Sequence, residues 1–153
     1  STPKPSSAAS DVYKRQLLEK ELAKAHIEAK FTWDIGATEN EMQEALLLIR
    51  QAQWRWDFGV SSHGGSFHAP QETMRILGHG LNKVFQARML ISKVLVAHGY
   101  TDNVPLPDIT TKEKVQQYIG LDMAVEKADK DKFLKEIVPE WLQKAKANGR
   151  IVD

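Results

Sequence analysis

Histidine is the residue type in this chain whose placement best suits chemistry, and the sequence contains five of them. His68 lies in a short link between two long helical patterns, two residues before Pro70, so rigid elements hold it on both sides. Large apolar side chains are close by in sequence, namely Trp54, Trp56, Phe58, Phe67 and Met74. An axial imidazole beside flat apolar walls is what a haem face requires. The residues therefore leave two interpretations of His68, an axial haem ligand or a solvated linker histidine.

Three of the other histidines have simpler explanations. His63 and His98 each follow a predicted helix, where a protonated imidazole interacts favourably with the C-terminal end of the helix dipole. A zinc site shared by His63 and His68 would lack two ligands, because the chain has no cysteine. His26 is predicted to be a surface or interface residue in the middle of a helix.

Two glycines flank His79 inside a helical pattern. Each costs about 1 kcal/mol relative to alanine in a helix interior, so both need a local reason. Gly78 and Gly80 would allow the close approach of another backbone or of a flat ligand, and tight helix packing is the simpler explanation.

Composition excludes several classes of function. The chain carries 21 basic and 20 acidic residues, so it lacks the basic excess of a nucleic-acid-binding domain. Without cysteine it has no disulfide, no thiolate metal site, no cysteine nucleophile and no Cys-x-x-Cys-His haem attachment within these residues. No run approaches the ~20 apolar residues of a membrane span. Phosphate-binding loops, the His-Glu-x-x-His motif and the Gly-x-Ser-x-Gly elbow are also absent.

The first sixteen residues differ from the rest, because they are rich in Ser, Pro and Ala and low in hydrophobic periodicity. Residues 1–16 are predicted to be a disordered or artefactual tail. The artefact interpretation rests on residues 9–16, which resemble a translated sequencing adapter, and it would make the chain a truncated gene. Residues 17–153 are predicted to form one helical region.

Helical spacing dominates and no strand-like alternation is present, so the predicted fold class is all-α, with long helices and no sheet. A first helix is predicted over about residues 12–35, ending at Gly36. Thr38 and Glu41 have the spacing of a capping box, which predicts the start of a second helix that reaches Ser62.

Pro70 is predicted to begin a third long helix that reaches His98. Its near-heptad spacing predicts lengthwise packing against another helix. A second capping box is predicted at residues 110–113, and a last helix over about 122–148 is expected to kink or restart at Pro139. The near-heptad positions are Met74, Leu77, Leu81, Val84, Arg88, Ile91 and Leu95.

Several runs occur in the same order as in the cytochrome c nitrite reductases, and the chain resembles that family over about residues 17–150. The most specific part is residues 53–70, with Gln-Trp-Arg-Trp-Asp followed by Ser-His-Gly and His-Ala-Pro. The resemblance implies the C-terminal piece of an ammonia-forming enzyme, without its active site. Further matching runs are residues 24–30, 33–34, 36–39, 107–109, 111–114, 119–121 and 148–149.

The resemblance implies a periplasmic homodimer with five c-type haems that reduces nitrite to ammonia. Electrons would come from a cytochrome or a quinol-oxidising partner. Calcium is also implied, and its ligands, the nitrite-binding residues and the haem-attaching cysteines would all lie upstream. His68 would be the distal ligand of a bis-histidine electron-transfer haem. Trp54, Trp56 and Phe67 become candidate walls of that haem.

Two functions from different classes follow. The first is the enzyme piece, which supplies one distal haem ligand and the helical dimer scaffold. The second is a haem-free helical interaction module that dimerises through its long helices. Only the first requires haem absorbance in the complete protein.

Overall fold

The structure is a computed structural model that describes residues 5–62 and 64–151, with the side chains of all of these except residues 5–8, 66 and 67. No strand occurs in this described part, so the all-α prediction is confirmed. The chain divides into two compact units, Ser1–Leu106 and Pro107–Asp153. The helices are α1 (Pro5–Asp34), α2 (Glu39–Ser61), α3 (Gly65–His68), α4 (Pro70–Ala97), α5 (Lys112–Tyr118) and α6 (Met123–Ala147).

In the first unit, α1, α2 and α4 pack against one another around one apolar core. Leu18 of α1, Met42 of α2 and Leu77 of α4 are fully buried. Their neighbours in the core recur at three- and four-residue spacing, which is the period of one face of a helix. The helical periodicity in the sequence therefore identified the faces that meet.

The near-heptad face of α4 is buried within this chain. Leu77, Val84 and Ile91 are at most 1% exposed, and α4 packs against both α1 and α2. The predicted lengthwise packing is thus satisfied by helices of the same chain. That face is not available to a second copy, so the observation that motivated the haem-free dimerising module no longer supports it.

An ionic cluster, the Arg88 clamp, joins α4 to α1. The Arg88 guanidinium binds Glu28 with two hydrogen bonds, from Nε to Oε2 at 2.8 Å and from Nη2 to Oε1 at 2.5 Å. Its Nη1 also donates to Glu21, which accepts a second bond from Lys24 at 2.7 Å. The side chains of Glu21 and Glu28 are only 8% and 13% exposed. The hydrogen bond to Glu28 raises the pKa of Arg88 above its usual range.

Helix α1 begins at Pro5, well before the predicted start near residue 12. Residues 5–16 are therefore helical, and Asp11 among them is buried. Proline is compatible with the first turn of a helix, so the composition that suggested disorder did not prevent it. The adapter origin of residues 9–16 stays a prediction, and residues 1–4 lie outside the described part.

The capping box predicted at the start of α2 is confirmed. The backbone amide of Glu41 donates to Thr38 Oγ1 at 3.4 Å, and the amide of Thr38 donates to Glu41 Oε2 at 2.7 Å. The other carboxylate oxygen of Glu41, Oε1, lies 3.2 Å from the ring nitrogen Nε2 of His98. The hydrogen bonds from Thr38, first from its backbone and then from its hydroxyl, and the contact with His98 lower the pKa of Glu41 to about 2.

Replacing Thr38 by alanine is expected to cost about 1 kcal/mol at neutral pH, because the cap is lost. The carboxylate of Glu41 stabilises the folded state fully above its ordinary pKa of 4.5, and this contribution is lost as the pH falls towards about 2. The difference between the melts of the wild type and Thr38→Ala should therefore narrow between pH 4.5 and 2, because the bond from the Thr38 hydroxyl to the Glu41 carboxylate is lost in acid. The part of the difference that comes from the cap of the Glu41 amide should remain. Glu41→Gln, an isosteric control, should remove that part of the pH dependence, and a difference that stays constant in acid would contradict this account.

In the second unit the predicted capping box at residues 110–113 is wrong. Thr111 is the N-cap of α5 and accepts from the amide of Lys114 at 3.3 Å. Thr110 is held instead by Asp108, whose Oδ1 accepts from the Thr110 amide at 3.0 Å and its hydroxyl at 2.6 Å. Lys114 and then Thr110 hold the pKa of Asp108 well below its usual range. Because Asp108 binds Thr110, the N-cap of α5 is Thr111, one residue later than predicted.

Helix α6 passes through Pro139 without interruption, so the predicted restart is not observed. No residue of α5 or α6 is buried. The rings of Phe133 and Trp141 pack edge to face with their centroids 5.4 Å apart, yet they are 41% and 58% exposed. None of the helices in the described residues is both long enough and apolar enough to cross a membrane.

Candidate haem site

The link between α2 and α4 contains the four-residue helix α3. Helix α3 packs against both α1 and α4. Ala69 has φ −141° and ψ 58°, a conformation that breaks the helical run, and Pro70 restarts it. His63 lies outside the described residues, so its predicted dipole interaction and its share in a zinc site stay predictions.

His68 is the last residue of α3 and is exposed. Its backbone amide donates to the carbonyl of Gly64 at 2.8 Å. A Cβ placed on Gly64 would lie 3.1 Å from Cδ2 of the His68 ring, closer than side chains normally approach. Glycine at position 64 therefore provides the space in which the imidazole lies.

Gly65 in the linker packs closely against Ser62 and Thr73, a contact that the sequence did not predict. A Cβ on Gly65 would lie 3.0 Å from both Ser62 Oγ and Thr73 Oγ1. Thr73 is only 3% exposed, and its hydroxyl donates to the carbonyl of Ala69 at 3.2 Å. The pair of glycines between two long helices was the available signal, because packing this close leaves no room for side chains there.

The residues predicted to form haem walls differ in their exposure. Trp54 is 74% exposed on α2. Trp56 packs against the core, and its buried Nε1 has no hydrogen-bond partner. The prediction for Phe67 concerns a side chain outside the described part. The ring of Trp54 is thus accessible to a ligand, whereas that of Trp56 is partly covered by other residues of the chain.

An open groove of about 530 Å³, the α2–α4 groove, lies between these two helices. Its apolar walls are Trp54, Phe58 and Ile76. Four basic side chains and one amide complete the lining, and no carboxylate takes part; they are Arg55, Arg75, His79, Lys83 and Gln51.

The other histidines are placed as follows. His26 is exposed, as predicted. His98 follows α4 as predicted, and it also reaches Glu41 across to α2. His79 lines the groove, which sequence reasoning did not anticipate. Of the two glycines beside it, Gly80 is buried against α1 and Gly78 faces open space.

These residues fit part of a haem site. A single exposed imidazole suits an iron whose other ligands come from the porphyrin and from elsewhere in the protein. Covalent attachment cannot occur within this chain, because it has no cysteine. Among the described residues no group of three or more metal-ligating side chains is present, so a zinc or calcium cluster is not formed there.

A family model for cytochrome c552 matches residues 6–149 of the chain. A cytochrome c-552 from Bacteroides fragilis is 74% identical over 137 residues, which are 90% of this chain and 28% of the relative. One from Parabacteroides distasonis is 66% identical over 137 residues, with the same shares. One from Haemophilus influenzae is 47% identical over 136 residues, which are 89% of this chain and 25% of the relative. The chain thus spans about a quarter of the length of these curated relatives.

The helical fold and these matches define the class to which the chain belongs, the cytochromes, which are haem proteins. Within that class, the chain belongs to the cytochrome c552 family.

The sequence analysis gave a different family, the cytochrome c nitrite reductases, and described the chain as the C-terminal piece of such an enzyme. That family assignment is wrong. The family model that matches nearly all of the chain is cytochrome c552, and the relatives carry the name cytochrome c-552, which mentions neither nitrite nor a reductase.

Proposed function

We propose that this chain supplies an axial haem ligand, His68, from a helical scaffold in an electron-transfer cytochrome. The observation that carries the proposal is the placement of His68 at an exposed turn, with its ring against Gly64 and helices on both sides. A ligand held in this way needs little reorganisation when it binds iron, which favours binding.

The role of His68 follows from the chemistry of imidazole. The neutral ring binds iron through one nitrogen, while the N–H of the other needs an acceptor to fix the ring orientation. A haem with two strong axial ligands transfers electrons and leaves no open position for a substrate. His68 thus contributes to electron transfer and is not a site of substrate binding.

Replacing His68 by alanine in the haem-loaded protein is expected to convert one low-spin haem to another spin state. Electron paramagnetic resonance measures this change directly. The matched control is His26→Ala, which removes an exposed histidine of α1 and should leave every haem signal in place. Unchanged low-spin signals in the His68 variant would rule out the ligand role.

The second variant tests how the ring is positioned. Gly64→Ala places a methyl group about 3.1 Å from Cδ2 of His68, so the ring must move although the ligand itself is retained. We expect an altered low-spin signal in this variant and not the loss that His68→Ala produces.

The finer part of the proposal concerns the reaction of the complete protein. We propose nitrite as the electron acceptor and ammonium as the product. The support is that the runs within residues 53–70 resemble those of nitrite-reducing enzymes, a likeness that remains although the family is cytochrome c552. This reaction consumes six electrons and eight protons and releases two waters for each nitrite. Ammonium formed by the haem-loaded protein under a chemical reductant is the measurement, and this chain contributes no substrate-binding residue to it.

The remaining expectations are proposals of the same kind. They are a periplasmic location, a cytochrome or quinol-oxidising redox partner, a homodimer, and calcium bound by residues other than those described here. The surface of α4 that supports a homodimer is its exposed apolar stripe of Phe85, Met89 and Val96, which are 44%, 62% and 56% exposed. The stripe lies apart from the buried near-heptad face of the same helix.

A further inference from the structure

The α2–α4 groove combines two chemical features that the helical scaffold does not need. Trp54 and Phe58 line it with rings that are 74% and 47% exposed. Arg55, Arg75 and Lys83 add permanent positive charge, and no acidic side chain lines the groove. Flat apolar walls beside cations suit a planar, conjugated anion.

The partners of the three cations support this assignment. Arg55 uses Nη1 to donate to the carbonyl of Gln51 at 2.7 Å, which fixes the side chain, and it forms no ion pair with any described residue. Arg75 is paired with Glu72, which lies outside the groove lining. Lys83 is half-buried and forms no ion pair within the described part of the chain. A half-buried cation without a carboxylate favours an anionic occupant.

The groove also lies near the turn that holds His68. Helices α2 and α4 run antiparallel, because Gly59 contacts Leu77 and Gly80 contacts Arg55. Arg75 is five residues into α4, about 7.5 Å along the axis from Pro70. The end of the groove is thus about one and a half helical turns from the linker, within the dimensions of a porphyrin.

We propose that the α2–α4 groove binds the propionate edge of a haem. The proposal rests on the proposed function, which brings haem to this chain. Arg75 and Lys83 hold the carboxylates, and Trp54 and Phe58 lie against the ring edge.

The test uses the full chain and iron protoporphyrin IX, with tryptophan fluorescence as the measure of binding. Lys83→Gln removes a charge without leaving a carboxylate unpaired, and we expect about fivefold weaker binding. Arg75→Gln is the second variant, with a similar expected loss. Lys93→Gln is the matched control on α4, because Lys93 is exposed and outside the groove, and it should change the affinity less than about twofold.

A cationic iron porphyrin of the same planar core separates carboxylate recognition from non-specific adsorption. It should bind much more weakly than protoporphyrin, and Lys83→Gln should not weaken its binding further. Equal binding of the two porphyrins, or an equal loss in Lys93→Gln, would overturn the groove assignment.

The failure of this proposal is distinguishable from failure of the His68 assignment. His68→Ala should change the absorption band of the bound iron and leave the effect of Lys83→Gln on affinity intact. An unchanged band in His68→Ala would count against the ligand role alone, whereas an unchanged affinity in Lys83→Gln would count against the groove alone.

Discussion

Replacing Arg88 by methionine is expected to lower the free energy of unfolding by about 3–5 kcal/mol. Methionine retains the apolar stem of the side chain but leaves the largely buried carboxylate of Glu28 without its cation, and that of Glu21 with Lys24 alone. Because a domain of this size has about 5–15 kcal/mol of stability in total, the variant should be close to unfolding. Urea denaturation followed by circular dichroism measures the loss.

The matched control is Arg75→Met. Arg75 and Glu72 form an ion pair of similar geometry, but their side chains are 55% and 53% exposed. Solvent screens such a pair, so its loss should cost less than about 1 kcal/mol. Equal costs for the two variants would show that burial of the Arg88 clamp has no energetic consequence.

The effect of Arg88→Met should be the same at pH 6 and pH 8. A raised pKa means that the group contributes its full stabilisation below its ordinary pKa and loses it only as the pH rises through the raised value. The pKa of Arg88 is raised above its already high ordinary value, so it lies well outside this window. A triple variant that also replaces Glu21 and Glu28 by leucine should recover most of the loss, because no buried charge is then left alone.

Replacing Gly80 by alanine is expected to destabilise the chain by about 1–3 kcal/mol. The added Cβ would lie 2.6 Å from Leu18 Cδ2 and 3.3 Å from Arg55 Cβ. Leu18 is fully buried, so it has no free volume into which to withdraw. Helix α1 must then move away from α4, and the thermal midpoint should fall.

Gly78→Ala is the matched control, two residues away in the same helix. Nothing lies within 4 Å of a Cβ at that position, so only helix propensity changes. We expect up to about 1 kcal/mol of stabilisation. The two substitutions should thus have opposite signs, and stabilisation by both would contradict the close packing of Gly80. Combining Gly80→Ala with Leu18→Ala should cost less than the sum of the two single changes.

Local chemistry in the sequence predicted most helix ends. The positive φ of 98° at Gly36, the reciprocal cap of Thr38 and Glu41, and the start of α4 at Pro70 depend on neighbouring residues only. Where two local interactions competed, the prediction failed. Asp108 binds Thr110, so Thr111 became the cap.

Features that depend on packing between distant residues were not predictable in the same way. The near-heptad pattern of α4 showed a face to be buried but did not identify its partner, and the partners are helices of the same chain. The α2–α4 groove unites residues such as Gln51 and Lys83, which only the antiparallel pairing of two helices brings together. His68 could be singled out because its ligand chemistry and its position before Pro70 are both visible in the sequence, and its ligand role stays a prediction.

The Arg88 clamp also has a consequence for the order of folding. Helices α2 and α4 are connected by the short linker, so their contacts form at small cost in chain entropy. Glu28 and Glu21 lie 60 and 67 residues from Arg88 along the chain, and joining them requires closure of a much longer loop. The hairpin of α2 and α4 can thus form first, and docking of α1 then completes the core and fixes the turn that carries His68.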